Sequence, residues 1–160
     1  MITIPEQHRK KAAWVAIAAA MITGEEGMRT VAYRDPVGIP TACVGETLGI
    51  TAADVGKTKF TEEECLDKLD NRLVTDFGPG VDKCIHHPLP VYRKVAYTSF
   101  AYNVGIKAFC NSTLAKKENA GDIVGACNEL PKWTTAHGIT LPGLVKRREE
   151  ERQMCMRSLS

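Results

Sequence analysis

The sequence predicts an α+β fold in which a small β-hairpin lobe precedes a larger, mostly helical lobe. Three observations lead there. An Ala-rich apolar run ending at Ile22 has helical character, and the segment from Val31 to Thr47 mixes β-branched and aromatic residues with Pro36, Gly38, Pro40 and Gly45. Beyond Thr61, apolar residues recur at helical spacing almost to the end of the chain. At 160 residues there is enough chain for one domain with a substantial core. With 44% hydrophobic and 25% charged residues, the composition excludes disordered and fibrous classes. A net charge of +2 gives no footprint for nucleic acid, and a mildly basic surface suits a polyanionic polymer.

A polar start ending in His8-Arg9-Lys10-Lys11 leads into the apolar run Ala12 to Ile22, followed by Thr23 and Gly24. The layout resembles an export signal. At 1.5 Å per residue the run spans roughly 16 Å, against the roughly 30 Å of a bilayer's hydrocarbon core, so a permanent transmembrane anchor is not expected. Three readings stand: a cleaved signal, a signal that enters the membrane and later leaves it, and an ordinary buried helix. Cleavage after Ala20 would leave Glu26 close to a new terminus with no helix behind it, which favours retention. The expected organisation is a signal-like or retained helix over 1–24, then one folded domain over 25–160.

The remaining elements follow in order. Val31 to Thr47 reads as short strands and tight turns. Thr61-Glu62-Glu63-Glu64 is a capping box opening an amphipathic helix to about Phe77, with Leu66, Leu69 and Leu73 on one face and Gly78-Pro79-Gly80 as its stop. Val91 to Val104 is apolar nearly all round and should be a central, buried helix. Shorter helices are expected over Ser112 to Asn119 and Asp122 to Leu130. Pro142 opens a last, charged helix to about Met156, at a position where its missing N–H costs nothing.

The chemistry sits between residues 26 and 41. Glu26, Asp35 and Thr41 lie in a segment punctuated by Gly27, Pro36, Gly38 and Pro40. Two carboxylates and a hydroxyl supply an acid, a base and a group to orient water, the parts that cut a glycosidic bond. A Glu at the end of an apolar helix should be partly desolvated, raising its pKa so that it can donate a proton, whereas Asp35 in a polar turn should stay ionised. An arginine should hold Glu26, and Arg147 or Arg148 on the last helix is the candidate. Glu25 competes with Glu26 for the acid's role, but it faces another way around the helix. Asp35 before Pro36 also suits an ordinary turn residue, and Thr41 an ordinary strand residue.

These residues resemble the phage-type lysozymes or endolysins, the family that includes the lysozyme of phage T4, and within it the lambdoid-phage endolysins with a signal-arrest-release-like N-terminus. The landmarks are Glu26-Gly27, Asp35 with Gly38, Thr41 followed by Gly45, Tyr102-Asn103-Val104-Gly105, Phe109 with Asn111-Ser112 and Leu114, and Gly143-Leu144 ahead of Arg147-Arg148. They run in family order over about residues 12 to 157. The resemblance implies a lysozyme-like fold whose active-site cleft lies between the two lobes, with 25–160 as the catalytic domain. It implies hydrolysis of the β-1,4 bond between N-acetylmuramic acid and N-acetylglucosamine in peptidoglycan, lysing the bacterial host. Carried over, Glu26 is the general acid, Asp35 and Thr41 position and activate water, and Tyr102 and Ser112 touch saccharide. In an inverting enzyme the two carboxyl groups stand roughly 6.5 to 9.5 Å apart to admit that water.

The chain departs from the family where Thr41-Ala42-Cys43-Val44-Gly45-Glu46 puts Glu46 in place of a usual His. That third carboxylate could perturb Glu26 or Asp35, and Cys43 could serve as a redox handle. The six cysteines, Cys43, Cys65, Cys84, Cys110, Cys127 and Cys155, read either as disulfides of an oxidising compartment or as small buried hydrophobes. Fifteen pairings are open, and the spacing selects none. His86-His87, in a Pro-flanked loop, reads as solvated surface, so no metal site is expected. Trp14 and Trp133 read as core or membrane-interface residues. Glu149-Glu150-Glu151 reads as a solvated face paired with Arg147, Arg148 and Arg152.

The expected partner is peptidoglycan, acted on in the periplasm by a monomer that needs no cofactor and binds no nucleic acid, with transient inner-membrane association through residues 12–24. Two rival functions share these residues: a lytic transglycosylase, which forms an anhydro sugar, and a non-catalytic peptidoglycan-binding module. A transglycosylase needs no residue to activate water, so Asp35 and Thr41 argue against the first, and the intact trio argues against the second.

Overall fold

The computed structural model describes residues 6–160, with side-chain surroundings from Ala13 onward. The expected basic start at His8-Arg9-Lys10-Lys11 and the first apolar residue, Ala12, lie outside the described side chains. Helix α1 runs without a break over Glu6–Glu26, straight through the expected boundary at residue 24. Val15, Ala18, Ala19 and Ile22 recur on one face and are buried against Leu69, Leu73 and Val95, so this stretch is a core helix of the folded body. Among the described residues, no helix is long and apolar enough to cross a membrane.

Gly27 ends α1. At φ +74° it adopts the left-handed conformation that suits glycine, and its N–H caps the helix on the Thr23 carbonyl at 2.9 Å. The chain then enters the hairpin of β1 (Arg29–Arg34) and β2 (Pro40–Cys43), paired antiparallel with Tyr33 opposite Thr41 and Arg34 opposite Pro40. A returning segment closes this lobe: Ala32 N–H donates to Thr58 O at 3.0 Å and Phe60 N–H to Thr30 O at 2.7 Å. Its own small core is Ala32, Ala42, Cys43, Ile50 and Cys65.

Helix α2 (Glu62–Arg72) begins at the expected capping box, with Thr61 Oγ1 accepting from Glu64 N–H at 3.0 Å. The expected stop at Gly78-Pro79-Gly80 does not occur. The chain passes through a wider helical turn at Leu73–Phe77 directly into α3 (Gly78–Cys84). Pro79 sits in the first turn of α3, where proline is tolerated. The glycines serve packing: a Cβ on Gly78 would stand 2.7 Å from Trp14 and one on Gly80 2.6 Å from Ile106. Trp14 is thus a half-buried packing residue, with the Lys94 ammonium over its ring.

Helix α4 (Val91–Val104) is central as expected, although it also buries Arg93 and Lys94. Arg93 reaches the fully buried Glu118, which also accepts from Tyr97 Oη at 3.0 Å and faces His87 Nε2 at 3.1 Å. His87 therefore has acidic company that its loop sequence does not show. Helices α5 (Ile106–Cys110), α6 (Thr113–Asn119) and α7 (Ile123–Cys127) follow, then a short helical turn at Leu130–Lys132 and a second small hairpin of β3 (Thr135–Ala136) and β4 (Ile139–Thr140). The helix expected to reach Leu130 is shorter, and α5 and the second hairpin carry no periodicity long enough to predict. Helix α8 (Pro142–Arg157) closes the chain against α4. The main core gathers Tyr97, Phe100, Phe109, Leu114 and Leu130, with Trp133 edge-on to Phe100 at 5.1 Å.

All six cysteines pair, each with the next in sequence: Cys43–Cys65, Cys84–Cys110 and Cys127–Cys155. Cys43–Cys65 ties β2 to α2, which leaves no free thiol at Cys43 and so removes the expected redox handle in this state.

Candidate active site

Glu26 is the last residue of α1, and its side chain points outward. Arg147, on the second turn of α8, donates from Nη1 to Glu26 Oε1 at 2.8 Å. The choice left open between the two arginines is thereby resolved. Arg148 is fully buried, bonded to Asn103 Oδ1, 3.4 Å from Glu151 Oε1 and over the Phe100 ring at 4.9 Å. It braces α8 against α4 and does not touch Glu26.

The desolvation expected at Glu26 falls on its neighbour. Glu25 faces inward with its side chain 7% exposed, beside Ser99 Oγ at 3.4 Å and Arg147 Nε at 3.4 Å. Burial pushes its carboxyl up to about 7, against the pull of Arg147 and with a further push from Glu150. Successive helical residues point about 100° apart, which puts one glutamate into the α1–α4–α8 interface and the other outward, onto the Arg147 guanidinium.

The hairpin register brings Asp35 and Thr41 to the same end of the sheet. Asp35 Oδ1 accepts from the N–H groups of Val37 at 3.0 Å and Ile39 at 2.8 Å, so this carboxylate organises the turn as well as standing at its edge. Thr41 is buried, and its hydroxyl donates to Ile39 O at 2.8 Å. Tyr102 connects this lobe to α4: its hydroxyl bonds to the Val44 carbonyl, and its ring packs on Phe77 at 4.9 Å. Burial pushes the Tyr102 phenol up, and the charges of Glu46 and Glu26 add to the push. Glu26 and Tyr33, the strand partner of Thr41, both lie within electrostatic reach of that phenol.

Two expected features have structural places as well. Ser112 is buried as the cap of α6, donating to Phe109 O at 2.6 Å and accepting from Ala115 N–H at 3.1 Å, so both faces of its hydroxyl are engaged. Glu46 is also buried: Oε1 accepts from Leu48 N–H at 2.8 Å and Oε2 pairs with Arg72 Nε at 3.4 Å. It anchors the β lobe to α2 as a paired carboxylate. Among the described residues, no group of three or more His, Cys, Asp or Glu is placed to hold a metal ion. Sequence reasoning placed Asn103 in the Tyr102-to-Gly105 landmark without assigning it the role of holding Arg148. It did not find Arg72, which holds Glu46 and carries no local pattern that could have signalled it.

The Phage lysozyme family model matches residues 23–151. The chain belongs to the phage lysozyme family. The match spans the end of α1, both lobes and most of α8. Among relatives, this phage lysozyme is 41% identical over 150 residues to the SAR-endolysin of Bacteriophage PS119, covering 89% of this chain and 86% of that one. It is 35% identical to the SAR-endolysin of Pseudomonas phage phiKMV, covering 91% and 90%. Its fold superposes on the endolysin from Escherichia coli O157:H7 phage FAHEc1 with a TM-score of 0.78 at 32% identity, covering 89% of this chain and 92% of that one. The muramidase domain of SpmX from Asticcacaulis excentricus gives a TM-score of 0.78 at 26% identity, covering 87% and 94%. The lysozyme-like α+β architecture expected from the sequence is thereby established.

Proposed function

We propose that this phage lysozyme hydrolyses the β-1,4 bond between N-acetylmuramic acid and N-acetylglucosamine in peptidoglycan, in the cleft between its two lobes. It is a muramidase, and peptidoglycan is its substrate. Glu26 is the general acid that protonates the leaving oxygen, while Asp35 and Thr41 position and activate the attacking water, giving inversion at the anomeric carbon. The observation that carries the reading is the Arg147–Glu26 contact at the junction of α1, the hairpin and α8. It fixes the direction in which the glutamate presents its carboxyl. Tyr102 contributes through its place between the lobes, where the edge of its ring can meet saccharide. Ser112, the cap of α6 in the helical lobe, is the weaker of the two proposed saccharide contacts, and Arg148 acts by holding α8 so that Arg147 stays in reach.

The protein works as a monomer in the periplasm of the host. Residues 1–24 act as the signal-like segment and 25–160 as the catalytic domain, with transient inner-membrane association through 12–24. Two relatives bearing the name SAR-endolysin support this localisation. Because α1 carries both Glu26 and a face of the core, a membrane-held form is inactive. Full activity of a tethered form would refute that.

The test compares wild type with Glu26→Gln on permeabilised Gram-negative cells by loss of turbidity, with mass analysis of the released fragments. Clearing by wild type alone, with hydrated reducing ends, supports the assignment. Equal clearing by both proteins removes Glu26 from its role, and anhydro products make the enzyme a lytic transglycosylase.

A further inference from the structure

Two carboxylates close on the Arg147 guanidinium. Nη1 donates to Glu26 Oε1 at 2.8 Å, and Nε lies 3.4 Å from Glu25 Oε2. The two glutamates are adjacent on the last turn of α1, one turned outward and the other inward. Helix α8 brings Lys146, Arg147, Arg148, Glu150 and Glu151 toward this point, and α4 brings the hydroxyl of Ser99. Glu25, Lys146, Arg147 and Glu150 line one pocket of about 120 Å³. Glu25 Oε1 is buried there without a hydrogen-bond partner. Nothing in the proposed reaction uses Glu25, yet it shares the arginine of the residue that does.

We propose that Glu25 is a positioning residue that sets the alkaline limit of the enzyme by competing with Glu26 for Arg147. The inference rests on Glu26 being the general acid. While Glu25 is neutral, the full charge of Arg147 favours the anion of Glu26. Once Glu25 ionises, it takes part of that charge and adds its own repulsion, so the proton stays on Glu26. The pair titrates as a unit, with macroscopic steps that belong to both residues. Burial holds the Glu25 carboxyl up to about 7, so its charge changes near neutral pH. Glu150 pushes the Glu25 carboxyl further up and Arg148 pulls it down, while Glu25 and Glu150 both push up the buried carboxyl of Glu151.

The experiment measures initial rates on dye-labelled peptidoglycan sacculi from acid to mildly alkaline pH for wild type, Glu25→Gln, Glu25→Asp and Glu26→Gln. The neutral amide in Glu25→Gln leaves Arg147 wholly to Glu26, and the alkaline arm of the profile should move to lower pH by about one unit. Glu25→Asp restores the charge and should recover most of the wild-type arm. A Glu25→Gln profile that superimposes on wild type after scaling overturns the proposal, because a purely structural role changes amplitude and leaves the pH dependence alone. Should Glu25→Gln fail to fold, carboxyl carbon NMR of the wild type decides. A two-step titration at Glu26 supports the coupling, and a single step overturns it. Activity in Glu26→Gln would remove the acid assignment and this inference with it, whereas an inactive Glu26→Gln beside an unshifted Glu25→Gln would remove the coupling alone.

Discussion

Arg148→Met is the substitution whose cost the structure specifies most fully. The guanidinium is 0% exposed and holds Asn103, lies 3.4 Å from Glu151 and stacks over Phe100 at 4.9 Å. Glu151 is equally buried, neither of its oxygens has a hydrogen-bond partner, and burial pushes its carboxyl well above the usual range despite Arg148. Methionine keeps much of the apolar stem but leaves Glu151 as an uncompensated buried acid. Breaking such a pair from one side costs about 3–5 kcal/mol. In a protein of this size that is a fall in Tm of about 6–20 °C. The double variant Arg148→Met/Glu151→Leu removes both charges and should return to within about 1 kcal/mol of wild type. Urea unfolding followed by far-UV circular dichroism, with the disulfides intact, measures all four corners of the cycle. The single variant should also lose less stability at acid pH, where Glu151 takes a proton. A loss under about 1 kcal/mol for Arg148→Met, or a double variant no better than the sum of the singles, would refute the reasoning.

Three further outcomes are expected. Glu25 carries a carboxyl raised to about 7, so the folded state binds its proton more tightly than the unfolded chain; stability is therefore highest below the ordinary carboxylate pKa and declines as pH rises toward 7. Glu25→Gln should flatten that decline by about 1–2 kcal/mol after allowance for partial solvation, read as Tm against pH; an unchanged slope contradicts the burial of this group. Tyr102→Phe removes the bond to the Val44 carbonyl and should cost about 1 kcal/mol, with a larger relative loss in sacculus hydrolysis than in stability because the β lobe is no longer pinned to α4. Cys43→Ser/Cys65→Ser opens the link between β2 and α2 and should cost about 3 kcal/mol in chemical denaturation; a stability equal to wild type would show that the β lobe does not depend on its staple.

The parts of this fold that could be read in advance are those bounded by strong punctuation. Pro90 and Gly105 bracket α4, Pro142 opens α8, and the Thr61 capping box starts α2, each acting through local backbone chemistry. Gly78 and Gly80 misled because a glycine that breaks a helix and a glycine that admits a neighbour look alike until Trp14 and Ile106 are in place. The site was legible in kind and not in orientation. That an arginine on α8 would meet an acid on α1 was foreseeable, but the choice of Arg147 over Arg148 depends on how α8 is rotated about its axis. The same rotation on α1 sends burial to Glu25. Likewise the run Glu149-Glu150-Glu151 reads as uniform surface, yet Glu149 pairs with Arg152 at 2.7 Å at the surface while Glu151 lies in the interior.

The disulfides divide the chain into three loops that neither overlap nor nest, with partners 22, 26 and 28 residues apart. If the polypeptide enters an oxidising compartment N-terminus first, each cysteine meets its correct partner before any later cysteine arrives. Cys65 has only Cys43 behind it, and once that bond is closed Cys110 has only Cys84. Fifteen pairings are available to six thiols released together, but a chain oxidised in order of arrival faces a single choice at each step.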